Sequence, residues 1–163
     1  MYGNYWVENE TKGRKKITSQ KISSSGRILD DLLKHYTIGM LTLVIRRSAY
    51  DQLERGFDPR FSVIGDFDIV VRLAAQWDSD CVDEPVAHYR WHGDNYSSSH
   101  PRKSGDELEE WYEDIKNHKV ISKSKVLLDK FENNTITTDE GVQMNLFNDN
   151  NDEVIEKLKS IDL

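Results

Sequence analysis

Two short stretches combine residue types that can move a proton or hold a phosphate. In Gly65-Asp66-Phe67-Asp68, followed by Arg72, two carboxylates and a guanidinium fall close together. If a helix begins here, Asp66 stands at or just before its N-terminus, where free backbone N–H groups stabilise a carboxylate. That position suits a plain N-cap, and equally a carboxylate facing a cleft as general base or metal ligand. Asp68 and Arg72 are four residues apart, the spacing of an ion pair on one helix face. The second stretch is Tyr89-Arg90-Trp91-His92-Gly93-Asp94-Asn95. In an extended chain Arg90 and His92 point to the same side. The following Gly-Asp-Asn sets the pair at a strand end, where α/β sheets hold their ligands. Arg offers a bidentate grip on a phosphate, and His a donor or a metal ligand. Surface pairing at a sheet edge accounts for the same residues without any ligand.

The elements that must position these residues read as follows. Tyr2–Val7 is aromatic and β-branched, a strand entering a turn at Glu8–Gly13, with Ile17–Ile22 as the returning strand. The basic run Lys12–Lys16 reads as a solvated hairpin loop. Ser23–Gly26 is a loop whose serines can cap a helix over Arg27–Tyr36, with Ile28, Leu29, Leu32 and Leu33 on helical spacing. Met40–Ile45 is the most apolar segment and reads as a buried strand. A helix follows from Arg46 through Leu53, with Gly56 as its stop, and Phe57–Phe61 is a turn. Phe67, Val70, Val71, Ala74 and Ala75 then form one helical face, closed by Trp77. Cys81-Val82 reads as a short strand ending at Pro85, followed by a second alternating stretch, Val86–Arg90. Ser97–Ser104, with Pro101, reads as a flexible exit. Asp106 to about Phe131 is helical, with Leu108, Trp111, Tyr112 and Ile115 recurring every three or four residues. Asn133–Asn151 shows no period, and a short helix at Asp152–Ile161 closes the chain.

Composition narrows the functional classes. The 163 residues are 37% hydrophobic and 31% charged, the balance of one soluble domain. The single cysteine, Cys81, rules out a disulfide scaffold and a cysteine-rich zinc site. No apolar run reaches the length of a membrane span. Net charge is −7, split as +5 over residues 1–50 and −12 over the remainder, which argues against nucleic acid as a partner. Gly-rich P-loop and dinucleotide fingerprints are both missing from the sequence.

Taken in order, FDPRFSVIGDFDIVVRLA from Phe57 and DEPVAHYRWHGDNYS from Asp83 resemble the second half of a family 2 glycosyltransferase. The YGNYWV strand and the MLTLVIRRSAY segment match the same pattern upstream. The resemblance covers about residues 1–99. The residue pattern itself reads as one α/β unit over about residues 1–97 followed by a helical, partly flexible C-terminal tail over residues 100–163. The resemblance implies that the α/β part is a partial GT-A (nucleotide-diphospho-sugar transferase-like) mixed sheet with flanking helices. The implied reaction moves a sugar from a nucleotide-diphosphate donor to the hydroxyl of a saccharide or lipid-linked acceptor, usually with Mg²⁺ or Mn²⁺. By position, Asp66 resembles the catalytic base of that family, with Gly65 where the family often has Glu. Asp68 and Arg72 resemble supporting residues of the same helix. Arg90 and His92 resemble the strand-end pair near the donor diphosphate, with His92 also a metal contact. Asn95 and Ser97 resemble polar residues of a segment that closes over the donor, and Thr42 would lie in the acceptor region.

One departure shapes these expectations. The family's nucleotide-binding βαβ units and Asp-rich metal motif precede the YGNYWV-like strand, and the sequence here begins after them. Asp30-Asp31 does not replace that motif, since it sits on an amphipathic helix. The expectation is therefore an acceptor-side half that binds nucleotide sugar weakly or not at all alone. Self-association, or pairing with a separate N-terminal half, would cover the sheet edge left open. The alternative is a non-catalytic interaction module or a degenerate truncated product. The implied location is cytoplasmic, or peripheral at the inner face of the membrane.

Overall fold

The computed structural model describes residues 1–9, 14–17, 25–92, 96, 100–132, 135–137 and 143–145. A three-stranded mixed sheet has the order β2-β1-β3, with β1 at Tyr2–Asn9, β2 at Arg14–Ile17 and β3 at Cys81–Trp91. β1 and β2 form an antiparallel hairpin in which Trp6 faces Ile17 and Asn9 faces Arg14. The basic run is therefore not all loop, because Arg14, Lys15 and Lys16 pair with β1. The returning strand also starts three residues earlier than the apolar pattern suggests. β1 and β3 run parallel, so the chain between them must cross over. That crossover carries α1 (Leu29–Lys34), α2 (Arg47–Tyr50) and α3 (Gly65–Ala74).

β3 is one strand of 11 residues, where the sequence suggests two short ones. Pro85 lies inside it, and this is tolerated because β3 is a sheet edge and the register with β1 shifts around Asn4. The Asn4 side chain spans the irregularity, its Nδ2 donating to the Asp83 carbonyl at 2.6 Å. Beyond the shift, Val86, His88 and Arg90 are exposed while Ala87, Tyr89 and Trp91 are half-buried, the period-2 pattern of a one-sided strand.

Met40–Ile45 is not a strand. Met40–Thr42 is a 3-10 turn, and Leu41 and Val44 are exposed. The segment meets the sheet through single bonds, with Val44 and Met1 exchanging two backbone hydrogen bonds at 2.8 and 3.0 Å. Gly39 sets this turn. A Cβ there would lie 2.4 Å from the Tyr5 ring, so only glycine lets the turn pass so close to β1.

α3 is flanked by two apolar clusters. Ile69, Val70 and Ala74 pack with Tyr2, Ile28, Leu32, Ile38 and Leu53; Val71 and Ala75 pack with Leu33, Phe61, Ile64, Leu108, Trp111, Ile115, Ile121 and Leu127. The second cluster brings in α4 (Pro101–Ile115) and α5 (Lys125–Glu132). Thus the packing does not break near residue 99, and Trp111 is completely buried against α3. Pro101 opens α4 where the composition suggests a flexible exit; at a first helical position the missing N–H costs nothing. The helical stretch after Asp106 is interrupted by a 3-10 turn at Ile121–Lys123 before α5 begins. A further antiparallel pair, β4 (Thr135–Thr137) with β5 (Gln143–Asn145), occupies part of the stretch that lacks a sequence period. Residues 146–163, including the expected terminal helix, lie outside the described residues. None of the described helices is long and apolar enough to cross a membrane.

Two polar networks fix α3 and α4. Asp68, fully buried, accepts Arg72 Nε at 3.0 Å and Nη2 at 2.5 Å, and also Trp111 Nε1 at 3.2 Å. Arg72 then donates to the carbonyls of Arg55 and Gly56 at 2.7 and 2.8 Å. The second network sits in the Phe57–Phe61 turn. The buried Asp58 carboxylate binds the Arg60 backbone N–H and guanidinium, and Arg55 at 3.1 Å. Arg60 reaches on to Glu110 and Asp114 of α4. Hydrogen bonds from Arg60 hold the Asp58 carboxyl down at about 2.

Asp68→Ala leaves the Arg72 guanidinium buried without its anion, and should cost about 3–5 kcal/mol of unfolding free energy in urea followed by tryptophan fluorescence. Arg47→Ala, which breaks only the exposed pair with Asp51, should cost less than about 0.5 kcal/mol in the same measurement.

Candidate functional site

Asp66 lies in the first turn of α3 and is half-buried. Its Oδ1 accepts the backbone N–H of Phe67 at 2.8 Å. Burial raises its pKa above the ordinary carboxylate value, and the backbone bonds from Phe67 and its own N–H offset this only in part. A carboxylate at a helix start is normally stabilised as the anion, so this one is more basic than its position alone would make it. Helix α3 starts after Ile64, and no side-chain hydrogen bond caps it there. Asp66 is thus inside the helix and not its N-cap.

Gly65 is helical and has no positive φ, so no tight turn demands glycine here. A Cβ added to it would meet nothing within 4 Å. Glycine at 65 leaves the approach to the helix start uncovered from that side.

Asp68 and Arg72, expected as supporting residues, are the buried pair described above. Every described bond from their side chains is internal to the fold. Thr42 is also engaged: its hydroxyl donates to the Gly39 carbonyl at 2.9 Å and accepts the Gly3 N–H at 3.2 Å. These bonds pin the 3-10 turn to the start of β1.

Arg90 ends up near the C-terminal end of β3, in register with Glu8 of β1, and His92 follows one residue beyond the strand. Both are exposed, as alternation requires. Asn95 and Ser97 lie outside the described residues. The C-terminal half of α3 shares an apolar cluster with Tyr2 and Cys81, the first residues of β1 and β3. Arg90 and His92 lie at the other end of β3, the end at which parallel α/β units hold ligands.

A residue that sequence reasoning passed over stands behind Asp66. Glu107 of α4, only 4% exposed, accepts the backbone N–H groups of Ser62, Val63 and Ile64 at 3.0, 2.8 and 3.0 Å, and the Ser62 hydroxyl at 2.9 Å. Burial pushes its pKa up, but these four bonds outweigh it and the net shift is downward. The signal in the sequence was a Glu four residues before Trp111, beside Leu108, on the inner stripe of the helix. A carboxylate on such a stripe needs buried partners.

The metal expectation finds no support in the donor set. Among the described residues no three His, Cys, Asp or Glu side chains converge on a point that would hold an ion. The residues described around His92 therefore do not by themselves fit Mg²⁺ or Mn²⁺. No protein-family model matches the chain, and a search of curated proteins and of solved structures finds no match either.

The raised carboxyl of Asp66 carries a stability consequence with a definite sign. A carboxyl that binds its proton more tightly folded than unfolded favours folding at low pH, and that advantage fades as pH rises through the folded pKa. Asp66→Asn should therefore melt higher than the parent chain at pH 7. The difference should shrink as pH is lowered below the Asp66 midpoint, as measured by thermal unfolding across a pH series.

Proposed function

We propose that the chain is the acceptor-side part of a sugar-transfer centre related to family 2 glycosyltransferases. In this reading Asp66 takes the proton from an acceptor hydroxyl, and Arg90 with His92 faces the diphosphate of a nucleotide-sugar donor. The observation that supports it most is the place of Asp66 in the first turn of α3, with its carboxyl pushed up by burial. A base needs a pKa lifted toward working pH and room for the hydroxyl within about 2.6–3.2 Å. The guanidinium at the strand end offers the cationic contact that a departing diphosphate requires. Inverting transfer by direct displacement needs one protein carboxylate, because the acceptor oxygen attacks as its proton passes to the base and the nucleoside diphosphate leaves with the bonding pair. The Asp-rich motif of that family has no counterpart in this sequence, so donor binding by this chain alone is proposed to be weak.

Uridine and guanosine diphosphate are the probes. At millimolar concentration either should shift the amide resonances of Arg90 and His92 in a labelled sample, and Arg90→Ala should abolish the response. Silence at the end of β3 with both nucleotides would sink the donor-facing role. Calorimetric binding tighter than about 100 µM, roughly −5.5 kcal/mol, would instead show that no second half is needed.

An interaction module is the second reading, and a specific observation favours it. Met1, Leu41, Val44 and Val86 are exposed at 53%, 42%, 59% and 57%. They are also neighbours: Met1 is bonded to Val44, while Gly3, the residue bonded to Thr42, lies against Val86. Apolar side chains beside an edge strand favour association. Light scattering after size exclusion should give a mass above the 19.0 kDa monomer, and Leu41→Ser with Val44→Ser should restore the monomer. A monomer at all concentrations would count against this reading.

A further inference from the structure

We infer that Glu107 is the positioning residue of the Asp66 site: by binding the N–H groups of Ser62, Val63 and Ile64 it fixes the lead-in to α3 and withholds those donors from the Asp66 carboxylate. This rests on Asp66 being the functional carboxylate, as proposed above.

The geometry carries the argument. Three consecutive N–H groups that point at one carboxylate form a small anion cradle, and such a cradle at a helix entry is ordinarily filled by solvent or a ligand. Here α4 fills it from 43 to 45 residues away. The Ile64 N–H goes to Glu107 Oε2, and Asp66 follows two residues later. Glu107 thus occupies the three N–H groups that lead into α3, ending two residues before Asp66. The two carboxyl groups at one helix entrance shift in opposite directions, Glu107 downward by its four hydrogen bonds and Asp66 upward by burial. Divergent carboxyl pairs of this kind assign one group to hold charge and the other to move a proton.

The charged and titratable groups around the cradle are few among the described residues. Lys103 of α4 lies 4.0 Å from Glu107 Oε1 and 3.4 Å from the Tyr96 hydroxyl. Tyr96 is 3.5 Å from the Ser62 hydroxyl and stacks on His100. On the inner side of α3, Asp68 and Arg72 neutralise one another. Lys103 is the one cation touching Glu107 among these, and it is half-exposed, so water screens it while Glu107 stays buried.

The test is a carbon-13 titration of the side-chain carboxyls in the full chain, with Asp66 assigned through Asp66→Asn. In Glu107→Gln the charge is gone and an NH₂ group replaces one acceptor, so donors are released and the Asp66 midpoint should move to lower pH. Glu110→Gln, on the same helix but paired with Arg60, should leave it unchanged. An Asp66 midpoint that stays put in a folded Glu107→Gln chain would overturn the proposal, as would an equal shift in Glu110→Gln. Should Glu107→Gln fail to fold, the parent chain decides. The Ser62, Val63 and Ile64 amides should titrate with one midpoint below the ordinary glutamate range, and amides that follow Asp66 instead would overturn it. The titration needs no substrate. Loss of the diphosphate response at Arg90 would therefore refute the transfer reading and leave this result standing.

Discussion

A carboxylate with no exposure to water must be neutralised where it stands, and Asp68 is that constraint. An unpaired charge in the interior would cost several kcal/mol, so its three bonds to Arg72 and Trp111 are obligatory once α3 is packed. Each partner then fixes something larger. Arg72 draws in the carbonyls of Arg55 and Gly56, which sets the path from α2 into the Phe57–Phe61 turn. Trp111 brings α4 onto the face of α3 opposite the sheet. Rotation of α3 about its axis would break the bonds to Trp111, Arg55 and Gly56 together, and Asp66, two residues before Asp68, inherits the resulting orientation.

The same helix is held a second time at its entrance. Glu107 binds the lead-in, and Arg60 ties the preceding turn to Glu110 and Asp114, so α4 is fastened along much of its length to residues 55–64. The two networks differ in character. The inner one is dry and charge-balanced, and it provides rigidity. The outer one is partly wet, and its ion pairs contribute modestly beside the apolar cluster beneath them. Asp66 lies at the boundary between them, half-buried, and burial lifts its pKa.

Much of the scaffold is legible along the chain because its signals are local. The apolar spacing at Leu32 and Leu33, and that from Phe67 to Ala75, follow the period of a helix that buries one stripe, and the structure has α1 and α3 there. The alternation after Pro85 gives the exposed placement of Arg90 and His92. Met40–Ile45 misled because composition does not specify a hydrogen-bonding partner. Strand status needs a ladder, and the close pass of Gly39 over Tyr5 turns this segment away from one. Pro85 misled in the opposite sense. Its missing N–H is tolerated because β3 is an edge strand and the register with β1 shifts beside it. Pro101 marks a helix start for a related reason.

The sequence by itself determined the helical stripes, the i,i+4 spacing of Asp68 and Arg72, the early turn position of Asp66 and the shared face of Arg90 and His92. These depend on neighbours within a few residues, and backbone geometry fixes them wherever the element forms. Tertiary structure alone decided that the Asp68–Arg72 pair is buried, that Thr42 is spent on backbone, that β1 and β3 are parallel, and that Glu107 fills the cradle before α3. Each joins groups 17 to 79 residues apart or depends on what covers a surface. Burial and long-range hydrogen bonding are properties of the packed chain, so no local pattern specifies them. The basicity of Asp66 follows from the same cause, since desolvation sets it and only packing decides how much water a carboxylate keeps.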